Sequence, residues 1–292
     1  MQQERRLHSL EKIVVAMALV AVLFLAVGFA QAQESPHARA ARVFLRSSSV
    51  LVQDAKSGRT ILSKNADAVV PIASISKLMT AMIVLDRHLD MSEPIQITDA
   101  DIDTLKGTHS RLRIGSVLTR DQLLLVALMA SENRAASALC RTYPGGKPAC
   151  VAAMNAKARA LGMTDTHFED PTGLTPHNVS SAEDLAKLVK AAYRYPVIRE
   201  DTTSESAYVN ARGRMIAYHN TNGLVRNPRW DIDLSKTGYI NEAGRCLVMR
   251  LRVASQDLIV VLLDSWGKYS RIGDANRIRK WIESSAFERH RG

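Results

Sequence analysis

Three strand-like segments joined by short turns lie close together near the C-terminus, and they decide which folds are open to this chain. They cover residues 230–239, 245–253 and 258–263, and the polar stretches 241–244 and 254–257 separate them. Apolar runs of strand length with such short turns predict an antiparallel meander. We therefore expect three neighbouring strands of one sheet in this part of the chain.

A hairpin pattern and several helical patterns precede the meander. Residues 49–64 alternate in polarity on both sides of a turn at 55–58, which predicts a β-hairpin. Apolar side chains recur at helical spacing over 75–89, capping patterns begin two further helices at Thr119 and Ser181, and a last helix is expected over 275–284. With strands at both ends and helices between them, the chain is expected to be α+β, an antiparallel sheet built from both chain ends with a helical subdomain.

The N-terminus carries the features of an export signal. Arg5, Arg6 and Lys12 precede an uncharged apolar stretch over 13–30, and an Ala-x-Ala site ends at Ala32. This pattern predicts a signal peptide over 1–32 that is cleaved after Ala32, with retention as an uncleaved membrane anchor as the alternative. A mobile leader is expected over 33–47 and a single domain over 48–292, located in the periplasm.

The net charge narrows the choice of partners. The chain of 292 residues is 46% hydrophobic, enough for a real core, and its formal charge is +10. Removing the signal changes the charge only to +9, so the charge belongs to the exported domain. An exported protein without an aromatic-rich basic motif is not expected to bind nucleic acid, which leaves an anionic membrane or another anionic polymer.

The cysteines permit a disulfide but indicate no metal site. Cys140 and Cys150 flank a turn at 143–146, so in an oxidising compartment they form either a disulfide or two small buried thiols. Cys246 lies in an apolar strand pattern and is expected to be a buried free thiol. No spacing typical of metal ligands occurs, and we expect neither a metal nor a cofactor.

Three short motifs carry the chemistry. Ser74 and Lys77 are three residues apart at a helix start, so both side chains project from one face, and a neutral lysine can take the proton of the serine. Ser-x-x-Lys alone is weak, because it recurs at 9–12 and 265–268, and an ordinary capped helix would also explain it. Its order relative to two further motifs, Ser131-Glu132-Asn133 and Lys236-Thr237-Gly238, makes a catalytic cleft between sheet and helices the better hypothesis.

These motifs and the sequence around them resemble the penicillin-binding, active-site-serine DD-peptidases. The similarity extends over roughly residues 48 to 285, and within the family the sequence resembles the low-molecular-weight D-alanyl-D-alanine endopeptidases of the penicillin-binding protein 7/8 type. The segments that carry it are PIASISKLMTAM, LMASENRAA, YPGG, AAMNAKARALGM, DPTGL, HNVS and LSKTG. The resemblance implies a β-lactamase/transpeptidase-like fold, with the catalytic domain over 48–292.

The resemblance also implies residue roles. Ser74 is the acylated nucleophile, Lys77 accepts its proton, and Ser131 relays a proton to the leaving amine. Asn133, Lys236, Thr237, Gly238 and Tyr239 bind substrate, Lys236 also keeps Lys77 neutral by its charge, and the backbone N–H groups of Ser74 and Tyr239 hold the oxyanion. Lys268 falls where relatives carry a basic residue near the substrate carboxylate.

The reaction implied is hydrolysis of D-alanyl cross-links between peptidoglycan stem peptides, with β-lactams as covalent inhibitors. The first alternative is a D-alanyl-D-alanine carboxypeptidase; those relatives usually add a β-rich domain and a C-terminal amphipathic anchor, for which the short sequence after Gly238 leaves no room. The remote alternative is a non-catalytic peptidoglycan-binding protein. Glu169 lies near the position of a class A β-lactamase glutamate, but the surrounding pattern differs, so a catalytic role is not expected.

Overall fold

A computed structural model describes residues 43–289, with side chains described as far as 285. The predicted signal peptide and most of the predicted leader lie outside these residues. The strands are β1 Ser47–Asp54, β2 Thr60–Lys64, β3 Val70–Pro71, β4 Pro94–Gln96, β5 Val117–Thr119, β6 Val179–Ser180, β7 Ser206–Ala211, β8 Arg214–His219, β9 Asp231–Ile240, β10 Gly244–Val253 and β11 Gln256–Ser265.

In the described chain, six α-helices lie between β3 and β7, and a seventh follows β11. They are α1 Lys77–Asp86, α2 Arg120–Met129, α3 Asn133–Arg141, α4 Gly146–Ala160, α5 Ala182–Ala192, α6 Pro196–Thr203 and α7 Ser270–Arg289; short 3-10 turns occupy Ala73–Ser76 and Asp99–Asp101. Among the described residues, no helix has the length and apolar composition needed to span a bilayer.

The main sheet joins the two ends of the chain, as predicted. Its order is β2-β1-β11-β10-β9, and each neighbouring pair is antiparallel. The predicted hairpin is β1–β2, with Val50 opposite Lys64, and the predicted meander is β9–β10–β11. Strand β9 is an edge strand, so its backbone is paired with β10 on one edge and not with another strand of this sheet on the other.

The sheet is buried on both faces, which explains why its strands are nearly continuous apolar runs. Along β11, Leu258, Val260 and Leu262 pack toward α7, while Ile259 and Val261 pack into the larger core formed with the helical part. Burying one such side chain contributes about 1.5–3 kcal/mol to stability. Alternate side chains of β11 thus pack against α7 on one face of the sheet and against the helical part of the molecule on the other.

Helix α1 runs through the centre of the larger core. Every residue from Lys77 to Val84 is buried, so the helix is covered on all sides and not on a single apolar face. Lys77, the first residue of this helix, is therefore shielded from solvent, and its burial is the largest influence on its pKa.

The packed chain begins slightly earlier than the predicted domain boundary. Val43 and Leu45 are buried in the core under α7, and the Lys64 ammonium donates to the carbonyls of Leu45 and Ser47 at 3.0 and 2.9 Å. The described end of the predicted leader, residues 43–47, is thus packed, because its alternating apolar side chains continue the pattern of β1.

Candidate active site

Ser74 lies in the short turn that leads into α1, in contact with two glycines. Ala73, just before it, is fully buried with φ +49°, a left-handed conformation that costs a residue with a side chain roughly 1–3 kcal/mol. A Cβ on Gly173 would lie 2.0 Å from the Ala73 carbonyl oxygen, and one on Gly238 would lie 3.1 Å from the Ser74 nitrogen. The backbones of the 169–175 loop and of β9 therefore clamp the serine turn from two sides.

The Lys77 side chain meets three oxygen atoms. Its Nζ is 2.8 Å from Ser74 Oγ, 2.7 Å from Asn133 Oδ1 and 2.6 Å from the Thr172 carbonyl oxygen. A neutral amine has two N–H donors and one lone pair. As an ammonium, Lys77 donates to all three oxygens, and the Ser74 hydroxyl itself donates to the Thr172 carbonyl at 3.3 Å. In the neutral amine, two donors serve Asn133 and Thr172 and the lone pair is free to accept the Ser74 proton.

The pKa of Lys77 is lowered from 10.5 to about 7, and burial is the largest cause. The carboxylates of Asp170, Glu132 and Asp103 act in the opposite direction and keep the pKa from falling further. A substantial fraction of Lys77 is thus neutral at neutral pH, where an exposed lysine would be almost fully protonated.

Lys236 is as fully buried as Lys77, and its pKa is lowered well below the usual value of a lysine. Burial, the charge of Lys77 and the charge of Arg271 all lower the pKa of Lys236, whereas Lys77 is acidified mainly by its own burial. The repulsion between two ammonium groups is mutual, so a protonated Lys236 also disfavours protonation of Lys77, and its role in keeping Lys77 neutral stays a prediction. The two lysines together carry fewer than two protons at neutral pH.

The Lys-Thr-Gly motif lies on β9 as expected from sequence. The Lys236 ammonium donates to the Thr237 carbonyl at 3.0 Å, and the Thr237 hydroxyl is 2.6 Å from that of Thr221. Tyr239 follows and is 51% exposed; its hydroxyl donates to Asn241 at 2.9 Å, and the Arg245 guanidinium lies 4.4 Å from the centre of its ring. The motif thus forms an edge against which an extended peptide can pair.

The Ser-Glu-Asn motif occupies the link between α2 and α3. Ser131 has φ +60°, and among the described residues its hydroxyl has no hydrogen-bond partner, so the structure does not bond it to Lys77. Asn133 bridges Lys77 and Thr108, donating to the Thr108 hydroxyl at 2.9 Å. The buried Glu132 points away from this contact and accepts hydrogen bonds from Ser110 and Tyr218.

Sequence reasoning missed the loop that holds the Thr172 carbonyl. The Asp170 carboxylate accepts hydrogen bonds from the backbone N–H groups of Thr172, Gly173, Leu174 and Thr175 at 2.5–3.2 Å. Asn178 then ties this loop to the serine turn by donating to Ser76 Oγ at 2.9 Å. The Asp-Pro-x-Gly text is a turn signal that could have located the loop, since aspartate caps its own turn.

Arg271 is a cation beside β9 that sequence reasoning missed. Arg271 donates from one nitrogen to the carbonyls of Gly238 and Cys246, each at 3.0 Å, while Lys268 is exposed with its ammonium 5.5 Å from the Tyr269 ring. Burial lowers the pKa of Arg271 to about 10. Glu169 is exposed and receives a hydrogen bond from Thr175 at 3.3 Å.

Two of the three cysteines form a disulfide, and the third is a free thiol. Cys140 and Cys150 are joined in a disulfide, with their Cα atoms 5.5 Å apart, and both are fully buried between α3 and α4. Cys246 is a buried free thiol whose pKa is raised to about 11 by burial, so it is a poor nucleophile. Within the described part of the chain, no group of three or more potential ligands is arranged to hold a metal ion.

Comparisons with known proteins give the same picture for sequence and fold. The family model described as D-alanyl-D-alanine carboxypeptidase matches residues 33–267. A D-alanyl-D-alanine endopeptidase of Pseudomonas aeruginosa is 48% identical over 82% of this chain and 78% of its own length, and one of Escherichia coli is 44% identical over 90% and 86%.

Solved structures agree with these relatives. The Streptomyces K15 DD-transpeptidase superposes with a TM-score of 0.76 at 26% identity, covering 82% of this chain and 97% of that one. A D-alanyl-D-alanine carboxypeptidase of Mycobacterium tuberculosis gives 0.75 at 27% identity, covering 82% and 92%. The predicted α+β, transpeptidase-like fold is confirmed, and the chain belongs to the D-alanyl-D-alanine carboxypeptidase family of serine peptidases.

Proposed function

We propose that this protein is a penicillin-sensitive DD-endopeptidase that hydrolyses D-alanyl cross-links between peptidoglycan stem peptides through an acyl-enzyme on Ser74. The observation that carries the proposal is the 2.8 Å contact between Lys77 Nζ and Ser74 Oγ, with the pKa of Lys77 lowered to about 7. A nucleophile and a base of matched acidity in direct contact are what acyl transfer requires.

In the acylation step, the lone pair of Lys77 takes the Ser74 proton while Ser74 Oγ attacks the D-alanyl carbonyl carbon. The backbone N–H groups of Ser74 and Tyr239 stabilise the oxyanion that forms. As the C–N bond breaks, the Lys77 ammonium gives the proton back by way of the Ser131 hydroxyl to the leaving amine, so Lys77 is neutral again and can take a proton from the water of the next step. Water then attacks the ester, and the released carboxyl product frees Ser74.

The substrate peptide extends along β9 and pairs with its open edge. Lys236 and Arg271 supply positive charge beside this strand, and a substrate carboxylate bound there favours the protonated form of Lys236. Asn133, which already accepts a hydrogen bond from Lys77, also binds the substrate backbone. This set of residues accepts β-lactams in the same place, and their acyl-enzyme is slow to hydrolyse.

The relatives favour the endopeptidase over a carboxypeptidase. The proteins 44% and 48% identical to this chain are named endopeptidases, whereas carboxypeptidases such as those of Bacillus subtilis and Mycobacterium tuberculosis are 29% and 30% identical. The family model itself bears the carboxypeptidase description, which keeps that activity as the second candidate. A non-catalytic binding protein is disfavoured, because it has no need for a buried lysine against a serine.

A digest of purified muropeptides tests the proposal. The endopeptidase should convert cross-linked dimers into monomers and leave the pentapeptide monomer largely intact. Loss of pentapeptide with dimers unchanged would show a carboxypeptidase instead. Ser74→Ala serves as the control, since it keeps the fold and removes the nucleophile.

We propose further that the protein is exported to the periplasm, where it contributes to cell-wall biogenesis and cell shape. The basic n-region, the apolar stretch and the Ala-x-Ala site before residue 33 support export. N-terminal sequencing of the protein from cells should give Gln33 as the first residue. A start at Met1 would indicate a retained anchor.

A further inference from the structure

A basic cleft opens beside the active site, between residues 109–116 and the β7–β8 hairpin. Its volume is about 580 Å³, and its walls carry Arg111, Arg113, Arg212 and Arg214. No aspartate or glutamate lines it. A cavity of this size with one sign of charge is a site for an anionic group.

The four arginines are not neutralised by the protein. Among residues 43–289, none of them forms a salt bridge. Arg111 donates to the Ala217 carbonyl and stacks on the Tyr218 ring at 4.1 Å, and Arg212 donates to the Ile114 carbonyl at 3.3 Å. Arg111 and Arg212 thus link the two walls of the cleft, and all four arginines are exposed to solvent.

The inner wall of the cleft connects directly to the Ser-Glu-Asn motif. Ser110, which lines the cleft, donates to Glu132 at 2.6 Å, and Tyr218 donates to the other carboxylate oxygen at 3.4 Å. Glu132 lies between Ser131 and Asn133 in sequence. On the active-site side, Asn133 donates to the hydroxyl of Thr108 at 2.9 Å, and the next residue, His109, lines the cleft, so the cleft begins one residue from a contact of the catalytic group.

The turn of the β7–β8 hairpin holds an arginine where the backbone does not favour one. Arg212 has φ +55° and Gly213 has φ +74°, a two-residue turn whose first position favours asparagine, aspartate or glycine. Placing arginine there directs a cation into the cleft despite the backbone strain, and strain of this kind concentrates at binding sites.

We propose that this cleft binds the carboxylates of the stem peptide that leaves when a cross-link is cut. The inference rests on the endopeptidase function proposed above and identifies where the leaving strand is held. A cross-linked substrate releases a whole peptide with carboxylates of its own, and the planar guanidinium groups match carboxylates with paired hydrogen bonds. A single released amino acid would need no such cleft.

The experiment compares the double variant Arg113→Ala/Arg214→Ala with the control Arg226→Ala/Arg229→Ala. Both pairs are exposed and lose the same charge, but Arg229 precedes Trp230, which packs under α7 on the far face of the sheet. Two substrates are used. The first is a cross-linked peptide dimer with free carboxylates. The second is the same dimer in which those carboxylates of the leaving strand that lie far from the scissile bond are converted to amides. Acylation by a fluorescent penicillin, which has no leaving strand, reports the state of Ser74.

The cleft variant should show roughly a tenfold lower kcat/KM on the free-carboxylate dimer, a smaller salt dependence, and an unchanged rate of penicillin acylation. The amidated dimer should be cut equally by the cleft variant and the control. An equal kcat/KM of the two variants on the free-carboxylate dimer would overturn the proposal. Failure of the wild-type protein to cut either dimer, despite normal penicillin acylation, would instead refute the endopeptidase function.

A binding measurement tests the cleft independently of whether the protein cleaves cross-links. In the Ser74→Ala background, titration calorimetry with the intact free-carboxylate dimer should show about tenfold weaker binding for the cleft variant than for the control. Equal affinities would contradict the proposal without reference to cleavage.

Discussion

Replacing Gly238 with alanine should slow the acylation of Ser74 by displacing the serine turn. The new Cβ would lie 2.8 Å from the Ile72 carbonyl oxygen, 3.0 Å from Ala73 Cβ and 3.1 Å from the Ser74 nitrogen. Comfortable contacts are about 3.5 Å or longer, so β9 and the turn must separate by roughly half an ångström. All the close atoms are backbone or Cβ, and none can rotate away.

The expected effects are measurable in both stability and rate. Overpacking of this kind should cost about 1–3 kcal/mol of unfolding free energy, measured by urea denaturation. Since a misplacement of 1 Å at a reacting group costs about a hundredfold in rate, half that displacement predicts about a tenfold slower acylation by fluorescent penicillin.

Gly223→Ala is the matched control. A Cβ at Gly223 meets no atom within 4 Å, and its φ is not in the left-handed region, so both readouts should stay at the wild-type values. The reasoning is refuted if folded Gly238→Ala is acylated at the wild-type rate.

Three further predictions concern the base, its loop and the disulfide. Only neutral Lys77 can accept the Ser74 proton, and the pKa of Lys77 is about 7. The rate of acylation should therefore rise about tenfold per pH unit below pH 7 and level off above pH 8. A rate that does not change between pH 6 and 8 would contradict this assignment. Asp170→Asn removes a negative charge that raises the pKa of Lys77, so the midpoint of that profile should move to lower pH, and a shift to higher pH would refute the electrostatic argument. The Cys140–Cys150 disulfide closes a loop with a sequence separation of 10, so Cys140→Ser/Cys150→Ser should lose about 2–3 kcal/mol in urea unfolding, and an unchanged midpoint would show that the link adds nothing.

The sheet and the catalytic motifs could be predicted because their signals are local. The turn at 241–244 and the apolar runs around it predict β9–β10 almost to the residue, and the capping box of Thr119 with Gln122 begins α2 as expected. The last helix was placed at 275–284 but spans Ser270–Arg289. The apolar side chains that predict this helix, among them Ala275, Ile278 and Ile282, pack under the sheet.

The remaining elements depend on tertiary contacts. Helix α4 begins at Gly146 with Pro148 in its first turn, so its sequence predicts a turn although proline is tolerated there. The depressed pKa of Lys236 and the place of Arg271 depend on which groups the fold brings within reach of β9. A charge pattern in one sequence does not contain this information.

Intact-mass spectrometry after incubation with a labelled penicillin tests the central claim most directly. The account predicts a single adduct on the wild-type protein, mapped by peptide digestion to Ser74, and no adduct on Ser74→Ala. An unmodified wild-type protein, or an adduct on another residue such as Ser131, would contradict it.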